Sequence, residues 1–369
     1  MATDKDMLSV SQIATMIQQE GLHWQAGETA LSALSPAEQR KRLGVKVTKS
    51  EIEQMAAATA KLAAEEMGMF RAGPMFGAPA AKDWRNVGGN NYITPIKDQG
   101  SCGACVSFGT CATIEAMMRI KAQDPAMNID LSEAFLQFCG GGSCSGWGLT
   151  DGLAYAQSTG VTDEACFPYQ PQNMPCSNRC SDWQSRLVKI LSYTAHASMQ
   201  ARKDALANIG PLVGGMAVYN DFFSYHSGIY EKTSGSSLAG YHCISIVGYD
   251  DNQQCWIIKN SWNTSWGENG FGRIKYGQAD LLIDSSWAFY SADPDVKPAK
   301  GSGFAEHLLV DKLVGGQVIL WAYADGAWRH HSISDADLAG IAQELFAATR
   351  VQVWWDGNEI TLIRPWKTY

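Results

Sequence analysis

The chain has 369 residues, of which 46% are hydrophobic and 18% charged, with a formal charge of −8. That length calls for two or three packing units rather than one small core. The acidic balance, with neither a long Lys/Arg run nor an apolar stretch near the ~20 residues of a membrane span, argues against nucleic acid, an anionic membrane or a spanning segment.

The first predicted element is helical. Ile13, Met16 and Ile17 recur at helical spacing and 46–70 is rich in Ala, Glu, Met and Lys, so residues 1–78 read as a helical N-terminal segment. The opening MATDKDMLSVSQIATMIQQEG lacks the basic start and unbroken apolar stretch of a secretory signal. A secreted or exported protein would then rely on a removed signal or another route, with the cytoplasm as the alternative. Gly73-Pro74, Gly77 and Pro79 mark a loop or processing point.

From Asp83-Trp84-Arg85 to Pro294 a helical half precedes a β half. Phe108, Ile114, Met117 and Ile120 fit one buried helical face, after which the chain is rich in loops and cysteines through Cys180. Ile244, Ile246 and Tyr249 then alternate with smaller residues, Asp250-Asp251-Asn252 supplies a turn, and Trp256-Ile257-Ile258 leads into Asn260. This order predicts an α+β domain with a cleft between its halves.

After a linker-like run at 298–303, strands at 317–323 and 328–332, a helix over 335–349 and a hairpin turning at Asp356-Gly357 predict a small ββαββ-like unit. The expected parts are therefore 1–78, 79–294 and 295–369. His330 and His331 are neighbours on a strand, face opposite sides, and so do not readily share one ion. Trp321, Trp328, Trp354, Trp355 and Trp366 supply bulk to a small core, a partner- or glycan-binding face being the other reading.

The chemistry concentrates in Gln99-Gly100-Ser101-Cys102-Gly103-Ala104-Cys105, with His242 and Asn260 far downstream. A thiol attacks a carbonyl as thiolate, so it needs a base beside it and a group that orients that base. Cys105 lies where a glycine-containing loop runs into a helical pattern, and a helix N-terminus favours an anionic sulfur. His242, opening a strand, is expected to form a thiolate–imidazolium pair with Cys105, and Asn260 to accept the other ring N–H. Trp262 would shield that hydrogen bond from water. The Gln99 amide, beside the Cys105 backbone N–H, would complete an oxyanion hole.

Ten cysteines, most of them between 102 and 180, suggest disulfides and an oxidising compartment. Metal-bound thiols in a reducing cytosol are the competing reading. Cys102-x-x-Cys105 and Cys176-x3-Cys180 lack the histidines of a recognisable ligand set, so no metal or cofactor is expected.

Residues 83–290 resemble the papain-like cysteine peptidases. The matching strings are Asp83-Trp84-Arg85, Thr94-Pro95-Ile96-Lys97-Asp98-Gln99-Gly100-Ser101-Cys102-Gly103, Leu131-Ser132-Glu133, Val247-Gly248-Tyr249, Asn260-Ser261-Trp262-Asn263-Thr264 and Trp266-Gly267-Glu268-Asn269-Gly270. Trp24-Gln25-Ala26-Gly27, Val218-Tyr219-Asn220-Asp221-Phe222, Tyr225 and Ser227-Gly228-Ile229-Tyr230 are similar to the cathepsin B branch. The resemblance implies a two-lobed papain-like fold, with a helical left lobe and a β-barrel-like right lobe. It also implies a zymogen whose N-terminal propeptide lies in the cleft as an intramolecular inhibitor until removed, and hydrolysis of peptide or protein substrates through a thioester on Cys105. Bridges Cys102–Cys144 and Cys139 to Cys176 or Cys180 are implied likewise, with Cys166 taking the remaining partner, while Cys111, Cys243 and Cys255 stay free. Leu149, Gly215, Cys243 and Ser286 would line an uncharged pocket that prefers an apolar side chain at the second position before the cut.

The chain departs from the family pattern in four places. The aromatic usual after the nucleophile is Val106. The Cys-Asn-Gly-Gly string reads Cys144-Ser145-Gly146-Trp147, where backbone normally pairs with substrate, so Trp147 is expected to narrow the cleft or change its angle. The His-containing loop that gives cathepsin B its dipeptide removal has no counterpart after Cys144, so endopeptidase action is expected. Residues 295–369 match no part of the family pattern, and their partner is unknown. A weak or non-catalytic binding protein and a thiol acyltransferase or amidase are the competing functions.

Overall fold

The computed structural model describes residues 8–47, 78–196, 199–277, 289–294 and the strands between 301 and 366. They belong to two compact units, one drawn from residues 1–117 and 127–294 and the other from 118–126 and 295–369.

The N-terminal helix Val10–Glu20 begins at a capping box: Ser9 Oγ accepts from the Gln12 N–H at 3.2 Å, and Gln12 Oε1 accepts from the Ser9 N–H at 2.8 Å. It ends at Gly21, whose φ of 67° is the left-handed cap that glycine adopts without strain. Ile13 and Ile17 point into the core. Strand β1 (Trp24–Ala26) follows, then a short helix Pro36–Arg40 capped by Ser35. The predicted helical stretch over 46–70 lies almost wholly outside the described residues.

The central helix Cys105–Ala122 departs from the one-faced pattern. From Cys105 to Met117 every residue except Ala112 is buried, whereas Ile120 is only partly so. A helix enclosed on all sides has no polar stripe to reveal its orientation. Its buried Glu115 is held by Thr94 Oγ1 and by Lys97 Nζ, which also reaches Asp130 and Glu133. This network ties Leu131-Ser132-Glu133 to the segment that leads to Gln99. A further helix, Leu149–Ser158, lies in the stretch expected to be loops.

The sheet strands are β2 (Ala81–Asp83), β3 (Ile190–Ala195), β4 (Leu212–Tyr219), β5 (Tyr225–Tyr230), β6 (Leu238–Asp250), β7 (Cys255–Lys259), β8 (Phe271–Lys275) and β9 (Phe289–Pro294). With β1 they form one nine-stranded sheet in the order β1-β5-β8-β7-β6-β4-β9-β3, with β2 alongside β6. All pairings are antiparallel except β5 with β8. The N-terminal segment thus supplies an edge strand, and Ile13, Ile17, Trp24 and Leu31 share one core with Phe222, Tyr225, Tyr230, Trp262 and Trp266.

Disulfides Cys102–Cys144, Cys139–Cys176 and Cys166–Cys180 lie in the half before the sheet. With Cys102 in a disulfide, a zinc or redox reading of Cys102-x-x-Cys105 has lost one of its two thiols. Cys105, Cys111, Cys243 and Cys255 are free and buried.

The C-terminal sheet has six strands, not the four expected. They are β10 (Gly301–Phe304), β11 (His307–Lys312), β12 (Val318–Ala324), β13 (Ala327–Ile333), β14 (Arg350–Asp356) and β15 (Glu359–Trp366), in the order β10-β14-β15-β13-β12-β11. The expected strands correspond to β12 and β13, and the final hairpin to β14 and β15. Strand β11 adds to β12 at one edge, and β10 adds to β14 at the other. His330 and His331 both fall in β13. The helix expected over 335–349 lies outside the described residues.

Candidate active site

Cys105 is the first residue of the central helix, reached through the disulfide-anchored turn at Cys102. Its sulfur accepts a hydrogen bond from the Gly44 N–H at 3.3 Å. The backbone N–H groups of Cys243, Val106 and Cys105 itself also act to lower its pKa. Complete burial outweighs them and pushes the thiol up to about 11.

His242 lies in β6, four residues after its start rather than at its opening. Its Nε2 is 2.8 Å from Asn260 Oδ1, so this nitrogen carries the proton and Nδ1 presents a lone pair. That Nδ1 is buried and makes no hydrogen bond. Asn260 directly follows β7, and its Oδ1 also accepts from the Ser261 N–H at 2.8 Å. The Trp262 ring covers the imidazole at a centroid distance of 4.6 Å and is itself 1% exposed. Burial pulls His242 down to about 4, against the Asn260 hydrogen bond and the Arg42 carbonyl, which favour the charged ring. Burial under this cover therefore acts against the charged form of both groups, opposing the ion pair expected from sequence.

Gln99 is fully buried and fixed on both sides. Ser261 Oγ donates to its Oε1 at 2.7 Å, Tyr169 Oη donates to its backbone carbonyl at 2.8 Å, and its Nε2 donates to the carbonyls of Cys102 and Arg42 at 2.8 and 3.0 Å. The expected oxyanion donor is thus occupied by a carbonyl from the N-terminal segment. Ser261 and Arg42 were not singled out from sequence. Ser261 had a signal, as a hydroxyl next to Asn260, whereas Arg42 contributes only backbone, which its side chain does not announce.

The segment 42–46 continues across the groove. Val45 N–H donates to the Tyr241 carbonyl, Trp147 N–H to the Gly44 carbonyl at 2.8 Å, and Lys46 N–H to the Trp147 carbonyl at 2.9 Å. The crossing needs glycine on both chains: a Cβ on Gly44 would lie 1.9 Å from the Gly103 oxygen, and one on Gly146 would lie 2.2 Å from the Gly44 oxygen. The Trp147 side chain is buried, although its backbone lines the groove. It is 7% exposed and turned inward against Gly140 and Gly152.

Three of the four pocket residues lie together. Gly215 pairs with Cys243 between β4 and β6, and a Cβ on Gly215 would touch Leu149 at 3.4 Å. Cys243 Sγ packs against Gly109 of the central helix. Ser286 lies outside the described residues.

Among the described residues, no helix is long and apolar enough to cross a membrane and no group of His, Cys, Asp and Glu is arranged to hold a metal ion.

A family model described as "Papain family cysteine protease" matches residues 78–290. "Digestive cysteine proteinase 1" of Homarus americanus is 36% identical over 201 residues, covering 51% of this chain and 59% of that protein. "Cathepsin B-like CP2" of Giardia intestinalis is 33% identical over 204 residues, covering 52% of this chain and 67% of that one. The chain thus spans about three fifths to two thirds of these curated relatives. Among solved structures, proCathepsin B S9 from Trypanosoma congolense superposes with a TM-score of 0.61 at 21% identity, covering 78% of this chain and 99% of that one.

Proposed function

The chain belongs to the papain family of cysteine proteases, and from that premise we propose that it is a cysteine endopeptidase made as a zymogen. Cys105 attacks the scissile carbonyl to give a thioester, and His242 accepts the thiol proton and returns it to the leaving amine. Asn260 holds the imidazole tautomer, and Gln99 with the Cys105 N–H takes the developing oxyanion. Water then attacks the thioester with His242 as base, releasing the acid and the thiol. Leu149, Gly215, Cys243 and Ser286 receive an apolar side chain at the second position before the cut.

The observation that carries this reading is the occupied groove. Segment 42–46 places a carbonyl on the Gln99 amide and an N–H on the Cys105 sulfur, the groups a peptide substrate would engage. On this reading residues 1–78 act as the inhibitory propeptide and 79–294 as the two-lobed peptidase, with the nine-stranded sheet as its barrel-like lobe. Residues 295–369 form an accessory unit for a partner yet to be identified. Three disulfides support folding in an oxidising compartment after secretion or export.

The test is to incubate the chain with reductant at mildly acid pH, add an epoxide thiol trap, and map the adduct. Modification of Cys105 with loss of peptide cleavage is expected, together with a new N-terminus between Gly73 and Asp83. Absence of both adduct and cleavage after removal of the N-terminal segment defeats the reading, and glutamine-donor transfer faster than hydrolysis replaces it with an acyltransferase.

A further inference from the structure

Val106 and Trp147 stand far apart in sequence and flank one glycine. A Cβ on Gly152, in the helix Leu149–Ser158, would lie 2.8 Å from Val106 Cγ1 and 3.5 Å from Trp147 Cζ3. The same indole lies under Gly140, where a Cβ would be 2.3 Å from Cη2, and meets Tyr155 edge-on at 6.4 Å. Val106, directly behind the nucleophile, is fully buried. The indole therefore lies against two glycines, one of which the short Val106 side chain also flanks, while its own backbone N–H and C=O hold an extended segment. A second indole at 106 would not fit beside the first, because an already packed interior resists added volume.

We propose that Trp147 is a positioning residue: its ring, seated in the space left by the small Val106, fixes the backbone donor and acceptor that hold an extended peptide beside Cys105. The proposal rests on the peptidase reading and deepens it. The two departures from the family pattern then become one, an aromatic carried on the groove edge instead of behind the nucleophile. A glycine at 147 would leave that edge free to move, and ordering it would be charged against binding.

The test measures melting temperature, KM and kcat of the matured enzyme for Trp147→Gly, Val106→Trp and the double variant. Trp147→Gly is expected to raise KM for an extended peptide about tenfold while kcat changes less than about twofold. Val106→Trp alone is expected to lower the melting temperature by about 3 °C or more. In the Trp147→Gly background the same Val106→Trp change should raise the melting temperature and bring KM back toward the starting value. This reversal of sign is what a shared volume requires and independent sites do not give. Additive effects, or a Trp147→Gly variant whose loss lies in kcat alone, overturn the proposal. If Trp147→Gly does not fold, the double variant decides: recovery of the fold supports the pairing and failure overturns it. A parent chain that never takes the epoxide or cleaves peptide defeats the peptidase reading instead, and that is seen before any variant is made.

Discussion

Burial sets the protonation of Cys105 and His242 against catalysis as long as segment 42–46 covers them. Burial pushes the thiol up to about 11 and pulls the imidazole down to about 4. For His242 the covered value is below the ordinary one near 6.5, so the stability this contributes is full above ~6.5 and is lost as pH falls toward 4. For Cys105 the covered value is raised, so its contribution is full below ~9 and is lost as pH rises through about 11. The covered state is thus firmest between these limits. Iodoacetamide should label Cys105 of the uncleaved chain slowly at pH 7 and faster toward pH 10, whereas the matured enzyme should react readily at pH 6. Equal rates in the two forms at pH 6 would show that the segment does not control the thiol. That His242 would meet Asn260, and that Gln99 would lie at the turn before Cys105, was legible because these residues carry side chains of distinct hydrogen-bonding chemistry. The protonation of Cys105 and His242 was not, since it depends on a backbone segment whose side chains say nothing of where its carbonyls point.

At the scale of elements, the crossing of 42–46 over the groove depends on the absence of a side chain at Gly44. Gly44→Ala would push a methyl into the Gly103 carbonyl, a contact that backbone on both sides cannot relieve. The uncleaved Gly44→Ala chain should therefore expose Cys105, reacting with a thiol trap on the order of tenfold faster than the unchanged chain at the same pH. An unchanged rate would place the restraint elsewhere in the segment. The strand through Ile244, Ile246 and Tyr249 and the hairpin at 350–366 were readable because β-branched and aromatic residues beside turn residues are local signals, although β6 is buried on both faces there instead of alternating. Strands β10 and β11 were not. Gly301-Ser302-Gly303 has no strand propensity of its own and is held by its distant partner β14, with Gly303 opposite Val353. The central helix was found but its orientation misread, because enclosure on every side erases the face that periodicity detects.

Across the larger of the two units the two halves are stabilised by different means. The half before the sheet carries all three disulfides, closing separations of 42, 37 and 14 residues. The sheet half relies on interlocked aromatics, Phe222 against Trp266 at 5.0 Å and Phe223 against Trp262 at 5.3 Å, among them the ring that covers His242. Removing Cys166–Cys180 by the double change Cys166→Ala and Cys180→Ala should cost about 2–4 kcal/mol of stability. Denaturant unfolding should show the loss, with the aromatic near-ultraviolet signal of the sheet half the last to go. A single transition at unchanged midpoint would show that this bridge adds nothing. The order of a helical half and a strand half was legible from spacing and turn residues, but the share of an N-terminal helix and strand in the second half's core was not, because Ile13 and Trp24 look no different from residues closing a core of their own.

That sharing has a consequence for maturation. Strand β1 lies at the sheet edge, and Ile13, Ile17, Trp24 and Leu31 are sunk among the aromatics. On the proposed zymogen reading, a cut beyond residue 47 leaves these contacts in place, so the clipped piece is expected to stay on as a tight, self-supplied ligand. Turnover would then begin only when it drifts off, so a freshly nicked sample should wake faster when diluted than when kept concentrated.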